Sequence, residues 1–393
     1  MTKVKEAYYN LKGDKAIWFI ILLLGLFSIL AVYSATGLAA FKTRGGDTEY
    51  YLFKQIIFVG AGFGLTYLCS RLHYMKYSNL APLMLVIAVP LLIYTWAFGD
   101  PINDANRWIT IPFSNATFQT SDFAKLVLIV FVARSLAIKQ EFIKDFNSAF
   151  LPIIIPVAIV CGLIAPNDLS TAGLLFLTCL LMMFIGRVSL QYVGMLIIVG
   201  VILFSFLIVL ANFFPDAFRL ETWTNRINEW LYDADGGFHI EQSKIAIASG
   251  EYFGVGPGNS LQRNYLPNPF SDSIYAIICE EYGLLGGVFV IFLYLWLLLR
   301  CMRIVTRSPR TFGSILAIGL CLNIVIQAFA NIAVSVNLVP ATGLTLPLVS
   351  MGGTSILFTC ITFGIILSVS KFVENPSMHQ IELEEIAEDE SDH

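Results

Sequence analysis

Long apolar runs recur along the whole chain, and they constrain the fold more than any other feature of the sequence. A membrane-crossing helix needs about 20 consecutive, mostly apolar residues, and ten segments of roughly this kind can be traced in order. The chain is 57% hydrophobic and 13% charged, whereas a soluble domain typically carries about 25% charged residues. The sequence therefore predicts an all-α polytopic membrane protein with ten transmembrane helices.

The edges of the predicted spans follow the ends of the apolar runs. The spans cover 16–34, 52–70, 79–98, 122–138, 150–165, 168–185, 190–213, 273–299, 312–337 and 350–371. The first run is too long for a signal-peptide core and lacks a small-residue cleavage site, so we expect it to be retained. The predicted parts are a cytoplasmic N-terminus (1–15), a membrane domain (16–371) and an acidic cytoplasmic tail (372–393).

Lysine and arginine are distributed unequally between the two sets of loops. If the N-terminus is cytoplasmic, 15 of the 24 lie on the cytoplasmic side, although the outer loops are much longer. By the positive-inside rule both termini are then predicted to be cytoplasmic. The longest connection, 214–272 between the seventh and eighth spans, is predicted to be extracytoplasmic, with a short amphipathic helix at 239–250. The formal charge of −4 indicates no nucleic-acid partner.

Three carboxylates lie where this loop enters the eighth span, in YLPNPFSDSIYAIICEEYG (265–283). A charge inside a membrane costs about 2.5–3.5 kcal/mol even on the gentler scales. Asp272 can be read as a plain helix N-cap. Glu280 and Glu281 lie deeper in the helix and about 100° apart around it, so they cannot both face lipid cheaply. These carboxylates predict a cleft that opens to the outside.

Two further clusters place charges at the ends of spans. In NDLSTAG, Asp168 is either an N-cap for the sixth span, with Thr171 three residues later, or a binding residue at a membrane mouth. In RWITIPFSNATFQTSDFAK, Arg107 lies in an interfacial loop, and Asp122 and Lys125 are spaced to pair at i,i+3. Because a helix N-terminus disfavours a cation, Lys125 is a candidate for holding an anionic head group.

The glycine-rich stretch GVGPGNS (254–260) follows no strand and opens no βαβ unit, which excludes a Rossmann or Walker phosphate loop. Two interpretations stay open. One is a tight turn with glycines at positive φ, and the other is a turn whose backbone N–H groups also form a nest for a substrate phosphate. The four histidines are scattered, so no zinc site is predicted.

Four sequence blocks, in order and at matching spans, resemble the SEDS family (shape, elongation, division and sporulation), the polytopic peptidoglycan glycosyltransferases of bacteria. The blocks are RWITIPFSNATFQTSDFAK, NDLSTAG, EQSKIAIASGEYFGVGPGNSLQRNYLPNPFSDSIYAIICEEYGLLGG and VPATGLTLPLVSMGGTSI. GVGPGNSLQRNYLP is similar to the division type rather than the elongation type. The resemblance implies a ten-span fold in the bacterial cytoplasmic (inner) membrane, at the division septum, with lipid II as the substrate.

The resemblance also implies a site. Asp272 matches the family's essential aspartate, and Lys125 matches an important lysine early in the fourth span. The full set of predicted substrate-binding residues is Lys125, Arg226, Lys244, Glu280, Glu281, Asp168 and Arg107. Phe270 and Ser271 replace the usual His-Thr before the aspartate, so this segment offers no imidazole beside Asp272.

The implied reaction is the polymerisation of lipid II. The C4 hydroxyl of one lipid-linked sugar attacks the anomeric carbon of another and expels undecaprenyl pyrophosphate in a single inverting displacement. Asp272 is expected to act as the base. Lys125, Arg226 or Lys244, or a bound divalent cation (Mg or Mn), would stabilise the leaving pyrophosphate.

The chain has no assembled SxxK, SxN and KTG set, so cross-linking must come from another protein. The resemblance implies a class B penicillin-binding protein transpeptidase as that partner, together with other divisome proteins. Two alternatives are a lipid II flippase or transporter and a non-catalytic divisome scaffold. Transporters bind near the bilayer midplane, often in repeated halves, whereas here the polar residues cluster at the outer edge without an internal repeat, which favours an enzyme.

Overall fold

A computed structural model describes residues 13–37, 41, 48–102, 105–110, 117–213, 220–232 and 237–374. The expectations for residues 1–12 and for the acidic tail from 375 onward lie outside these residues. Each of the ten predicted spans corresponds to a helix. The helices are α1 (Lys15–Ala35), α2 (Thr48–Arg71), α3 (Tyr74–Phe98), α4 (Thr120–Ile138), α5 (Leu151–Ile164, preceded by a π-helical turn, Phe146–Phe150), α6 (Leu169–Ile185), α7 (Leu190–Phe213), α8 (Leu220–Tyr232), α9 (Phe238–Ser249), α10 (Ile274–Arg307), α11 (Thr311–Ser335) and α12 (Thr354–Glu374).

Seven of these helices are long and apolar enough to cross a membrane on their own: α1, α2, α3, α5 with its π turn, α10, α11 and α12. α4 has the length but carries three charged residues, Asp122, Lys125 and Arg134. The apolar stretches Leu169–Ile185 of α6 and Leu190–Ile202 of α7 are shorter. The chain is therefore a mostly helical, multi-pass membrane protein.

The all-α prediction needs one correction, because the loop between α3 and α4 contains a small sheet. β1 (Asp100–Ile102), β2 (Ala105–Thr110) and β3 (Thr117–Gln119) pair antiparallel in the order β1-β2-β3. Strands of three to six residues are too short to give a clear alternation in the sequence. The sheet matters for the site because β3 runs directly into α4 and so fixes the first turn of that helix.

The burial of the helices separates an inner group from an outer group. In α11 and α12, 72% of the membrane-spanning residues are buried inside the protein, against 22% in α2 and α3. The inner helices α4 and α11 pack against each other, while α2 packs on α12 and α3 on α4. At one end, Asp14 caps α1 through the N–H of Ala16 (2.8 Å) and pairs with the guanidinium of Arg300 on α10 (2.5 Å).

α10 is broken near its start, and the loop after α9 fills the break. Gly283 has φ 67° and ψ −167°, which is not helical. The loop compensates with backbone hydrogen bonds, since the N–H of Val255 donates to the carbonyl of Glu280 (2.9 Å) and the N–H of Leu284 donates to that of Glu251 (2.8 Å). Irregular backbone at membrane depth requires such internal partners. The break therefore joins α10 firmly to the 250–256 loop and, through it, to α9.

The long connection after α7 contains two helices, α8 and α9. The helix predicted at 239–250 is confirmed as α9, which spans Phe238–Ser249 and is followed by Gly250 as its C-cap. α9 packs against α10. The described parts of this connection thus form structured elements close to the start of α10.

Candidate active site

Asp272 lies in the turn that leads into α10, and neighbouring segments hold the backbone of that turn. Asn331 of α11 donates through Nδ2 to the carbonyl oxygen of Asp272 at 2.8 Å. Ser350, shortly before α12, donates to the carbonyl oxygen of Ser271 at 2.5 Å. The N-cap of α10 is Ser273, so the interpretation of Asp272 as the N-cap is wrong. Its carboxyl group is instead directed into a cavity.

Arg107 of β2 and Asp168, the residue before α6, form an ion pair on one wall of this cavity. Arg107 Nη1 lies 3.1 Å from Asp168 Oδ2, and Arg107 Nε donates to the carbonyl of Asn167 at 2.8 Å. The other oxygen of Asp168 accepts the N–H of Thr171 at 3.1 Å. The predicted N-cap is confirmed, and the same carboxylate also orients a guanidinium that faces the cavity.

A second ion pair lies in the first turns of α4. Lys125 Nζ is 2.7 Å from Asp122 Oδ1, which confirms the predicted i,i+3 pair. Both residues are buried, at 8% and 5% exposure. Asp122 Oδ2 has no hydrogen-bond partner among the described residues. A buried ammonium with one carboxylate oxygen against it can still direct donors toward an anionic ligand.

These side chains meet at a cavity of about 570 Å³, within the usual range for small-molecule sites. Its charged lining consists of Lys54, Arg107, Lys125, Arg226, Asp122, Asp168 and Asp272. Cations therefore outnumber carboxylates by four to three. Arg226 comes from α8, where its Nη1 donates to the carbonyl of Ala341 at 3.1 Å. A smaller cavity of about 250 Å³ shares Arg226 and Asp272 and is also lined by His239.

Asp272 differs from the other two cavity carboxylates because no cation within the described residues lies at ion-pairing distance from it. Its Oδ1 is buried and has no hydrogen-bond partner in the same part of the chain. Burial raises the pKa of Asp272 above its ordinary value, and the nearby His239, the backbone N–H groups of Asp272 and Ser273 and the charge of Arg226 offset this only in part. A carboxylate with a raised pKa, facing a cationic cavity, is suited to accept a proton.

Comparison with known proteins identifies the family to which the chain belongs. The family described as cell cycle protein, named after FtsW, RodA and SpoVE, matches residues 14–375. The chain belongs to this family, the SEDS family. Stage V sporulation protein E of Bacillus subtilis (strain 168) is 32% identical over 363 residues, covering 91% of this chain and 97% of that protein. The probable peptidoglycan glycosyltransferase FtsW of Geobacter sulfurreducens (strain DL-1 / KN400) is 32% identical over 361 residues, covering 91% and 95%.

Among solved structures, a chain from the study of polymerization and crosslinking by a peptidoglycan synthase complex has the same fold. It superposes with a TM-score of 0.68 at 22% identity, and the match covers 92% of this chain and 98% of that chain. The resemblance to the SEDS family that the four sequence blocks indicate is thus confirmed.

In this SEDS chain the cavity also contains groups that the sequence analysis missed. Lys54 lies near the start of α2, and a lone lysine within the apolar run of that helix was the available signal. His239 opens α9, and its Nε2 lies 2.8 Å from Ser273 Oγ, 34 residues away in sequence. Phe270 and Ser271 put in doubt a role for an imidazole beside Asp272, but α9 brings an imidazole to the same turn.

Glu280 and Glu281 are buried, as predicted, but they do not line the cavity of Asp272. Glu280 accepts the hydroxyl of Ser260 and the N–H groups of Leu261 (2.9 Å) and Gln262 (3.2 Å). Glu281 accepts the hydroxyl of Ser34 on α1. Both carboxylates therefore hold the loop and α1 against α10, and we do not include them in the proposed site.

The glycine-rich stretch forms the predicted tight turn, with Gly254, Gly256 and Gly258 at φ 80°, 94° and 81°. The N–H groups of residues 255 and 256 donate to the carbonyls of residues 280 and 281 at 2.9 and 3.0 Å. Because these donors are already used, the interpretation as a phosphate-binding nest is wrong.

The predicted roles of Lys244 and of a bound metal ion find no support in the described residues. Lys244 is half-buried on α9 and is not among the residues that line the cavity. Within the described ranges no group of three or more His, Cys, Asp or Glu side chains converges as a metal site. We therefore derive no step through a metal, and a divalent cation at the pyrophosphate stays a prediction.

Proposed function

We propose that this chain is a peptidoglycan glycosyltransferase that polymerises lipid II into glycan strands by inverting displacement of undecaprenyl pyrophosphate. One observation carries this proposal. Asp272, half-buried and without an ion pair in the described part of the chain, lines a cavity of about 570 Å³ that also presents Lys54, Arg107, Lys125 and Arg226. A base among cations suits a reaction in which a hydroxyl loses a proton while a pyrophosphate gains charge.

Asp272 is the proposed general base. As the C4 hydroxyl oxygen of the acceptor sugar bonds to the anomeric carbon of the donor, its proton moves to the Asp272 carboxylate. The bond from the anomeric carbon to the pyrophosphate oxygen breaks, and the electron pair leaves with the pyrophosphate. A positioned base contributes roughly 10²–10⁴-fold to such a step.

The leaving pyrophosphate is proposed to bind against the cations of the cavity. Lys125 and Arg107 are each held by a carboxylate, at 2.7 and 3.1 Å. A cation that is fixed before the reaction stabilises developing negative charge without reorganising. Arg226 and Lys54, on α8 and α2, extend the positive wall on the other elements that surround the cavity.

The proposed topology has ten membrane spans, with the three less apolar or shorter helices α4, α6 and α7 added to the seven that qualify on their own. Asp122 and Lys125 of α4 are buried in the protein interior, which is where charged residues in a span are tolerated. The Lys/Arg distribution supports cytoplasmic termini and an extracytoplasmic connection over 214–272. The proposed location is the bacterial cytoplasmic membrane, at the division septum.

The proposed partner is a class B penicillin-binding protein transpeptidase, within a complex of divisome proteins. The chain carries no transpeptidase motif set, and the similar fold of a chain in a peptidoglycan synthase complex supports an assembly that joins polymerisation with cross-linking.

The test compares purified wild type with Asp272→Asn, each incubated with lipid II and the cognate class B protein, with strand length read on a gel. Glu141→Gln is the matched control, because Glu141 is an exposed carboxylate far from the cavity. We expect polymer from wild type and Glu141→Gln and none from Asp272→Asn.

Thermal unfolding of all three proteins separates a catalytic defect from a folding defect. Equal polymer from wild type and Asp272→Asn would remove Asp272 from the mechanism. No polymer from wild type, together with movement of lipid II across liposomes that contain it, would favour the transporter instead.

A further inference from the structure

His239 is held against the turn that carries Asp272. It lies in the first turn of α9, and its Nε2 is 2.8 Å from the hydroxyl of Ser273. Ser273 directly follows Asp272, is 1% exposed and is the N-cap residue of α10. The hydroxyl therefore fixes the imidazole ring relative to the carboxyl group of the preceding residue, Asp272.

Three buried polar atoms in this region have no hydrogen-bond partner among the described residues, namely His239 Nδ1, Asp272 Oδ1 and Asn331 Oδ1. His239 and Asp272 both line the cavity of about 250 Å³. Asp272 and Arg226 also line the larger cavity. Buried polar atoms are normally satisfied, and a catalytic task is one physical reason for an exception. The imidazole and the carboxyl group thus lie at the same cavity, and each has one nitrogen or oxygen atom without a hydrogen-bond partner among the described residues.

We propose that His239 is a positioning residue for Asp272, and that its imidazole, fixed at the same turn by Ser273, favours the ionised form of the Asp272 side chain that accepts a proton. This inference rests on the proposed function. A cation near a carboxyl group favours the carboxylate, whereas burial favours the neutral acid. After burial, His239 has the largest influence on the pKa of Asp272, and it lowers that pKa.

Other charged groups also lie near Asp272 and contribute to the electrostatic potential at its carboxyl group. The ion pairs Arg107–Asp168 and Asp122–Lys125 are each internally compensated, whereas Arg226, Lys54 and Glu229 share the two cavities with Asp272. Arg226 is charged at every accessible pH, so it cannot produce a titration. Histidine is the side chain whose charge changes between about pH 5 and 8.

The test is the pH dependence of lipid II polymerisation by the full-length chain with its class B partner, for wild type, His239→Gln and His239→Lys. Removing one nearby cation raises a carboxyl pKa by about 1 unit or more. We therefore expect the acid limb of kcat/KM for His239→Gln to move to higher pH by about one unit, while His239→Lys, which keeps the charge, stays near wild type.

His73→Gln is the matched control, because His73 caps α3 far from this cavity and its loss should leave the acid limb unchanged. Ser273→Ala is a second probe that releases the imidazole, and a smaller shift in the same direction is expected. If the acid limb of kcat/KM for His239→Gln or Ser273→Ala coincides with that of wild type, the inference is overturned and the proposed function is unaffected. An inactive wild type, or an Asp272→Asn variant that polymerises normally, refutes the proposed function itself.

Discussion

Replacing Gly254 with alanine should destabilise the protein far more than the same change at Gly258. The two glycines have φ 80° and 81°, so each alanine carries a similar conformational cost of about 1–2 kcal/mol. A Cβ added at Gly258 meets no atom within 4 Å, whereas one at Gly254 would lie 2.1 Å from the carbonyl oxygen of Glu281. That oxygen belongs to the backbone at the break in α10, so the loop has to move away.

The cost of that movement follows from the hydrogen bonds it would break. Four backbone hydrogen bonds join residues 251–256 to residues 280–285. A buried backbone group left without a partner costs about 1–3 kcal/mol. If two bonds are lost, the total for Gly254→Ala is about 3–8 kcal/mol, against about 1–2 kcal/mol for Gly258→Ala.

Unfolding in mild detergent with increasing denaturant, followed by tryptophan fluorescence, measures both variants against wild type. Gly254→Ala should also lower polymerisation, because the displaced loop connects α9, with His239, to the start of α10. The packing argument is refuted if the two variants lose the same unfolding free energy to within about 1 kcal/mol.

Three other outcomes are expected. Asp14→Ala should lower the unfolding free energy by about 3–5 kcal/mol, since it leaves Arg300 without its buried partner; equal unfolding curves would contradict this. Arg107→Ala should reduce kcat/KM for lipid II by about tenfold or more through loss of a charge-assisted contact, and an unchanged value would exclude Arg107 from the site. Because burial raises the pKa of Asp272, ionisation of Asp272 opposes folding as the pH rises through that pKa. Asp272→Asn should therefore be more stable than wild type at neutral pH, and the difference should vanish below about pH 3.9; a mutant less stable at neutral pH would reverse the assignment.

The sequence was sufficient to predict the helices because their signal is local. Each apolar run marks one helix, and the observed ends differ from the predicted ones by a few residues at most positions. The predicted pair of Asp122 with Lys125 and the cap at Asp168 were also correct, since both depend only on spacing along one helix. The small sheet was missed because its strands are too short to show a period.

The contacts between distant segments could not be predicted from the sequence. His239 and Ser273 are 34 residues apart, and nothing in either segment indicates that they meet. The ion pair of Arg107 with Asp168 joins a β-strand to a helix start across 61 positions of the chain. Such pairings depend on how helices and loops pack, and periodicity and spacing contain no information on that packing.

The three carboxylates at the start of α10 separate into two roles when their partners are compared. Glu280 accepts three donors from the loop that it holds, which stabilises the fold. Glu281 accepts a hydroxyl from α1 through one oxygen, while its other oxygen, Oε2, is buried without a partner among the described residues. Asp272 Oδ1 is buried without such a bond among the described residues. An uncompensated buried carboxyl group lowers stability, and the same lack of partners leaves it able to accept a proton from a bound hydroxyl. Of the three acids Asp272 alone lines the cavity of about 570 Å³, and it is therefore the one best suited to catalysis.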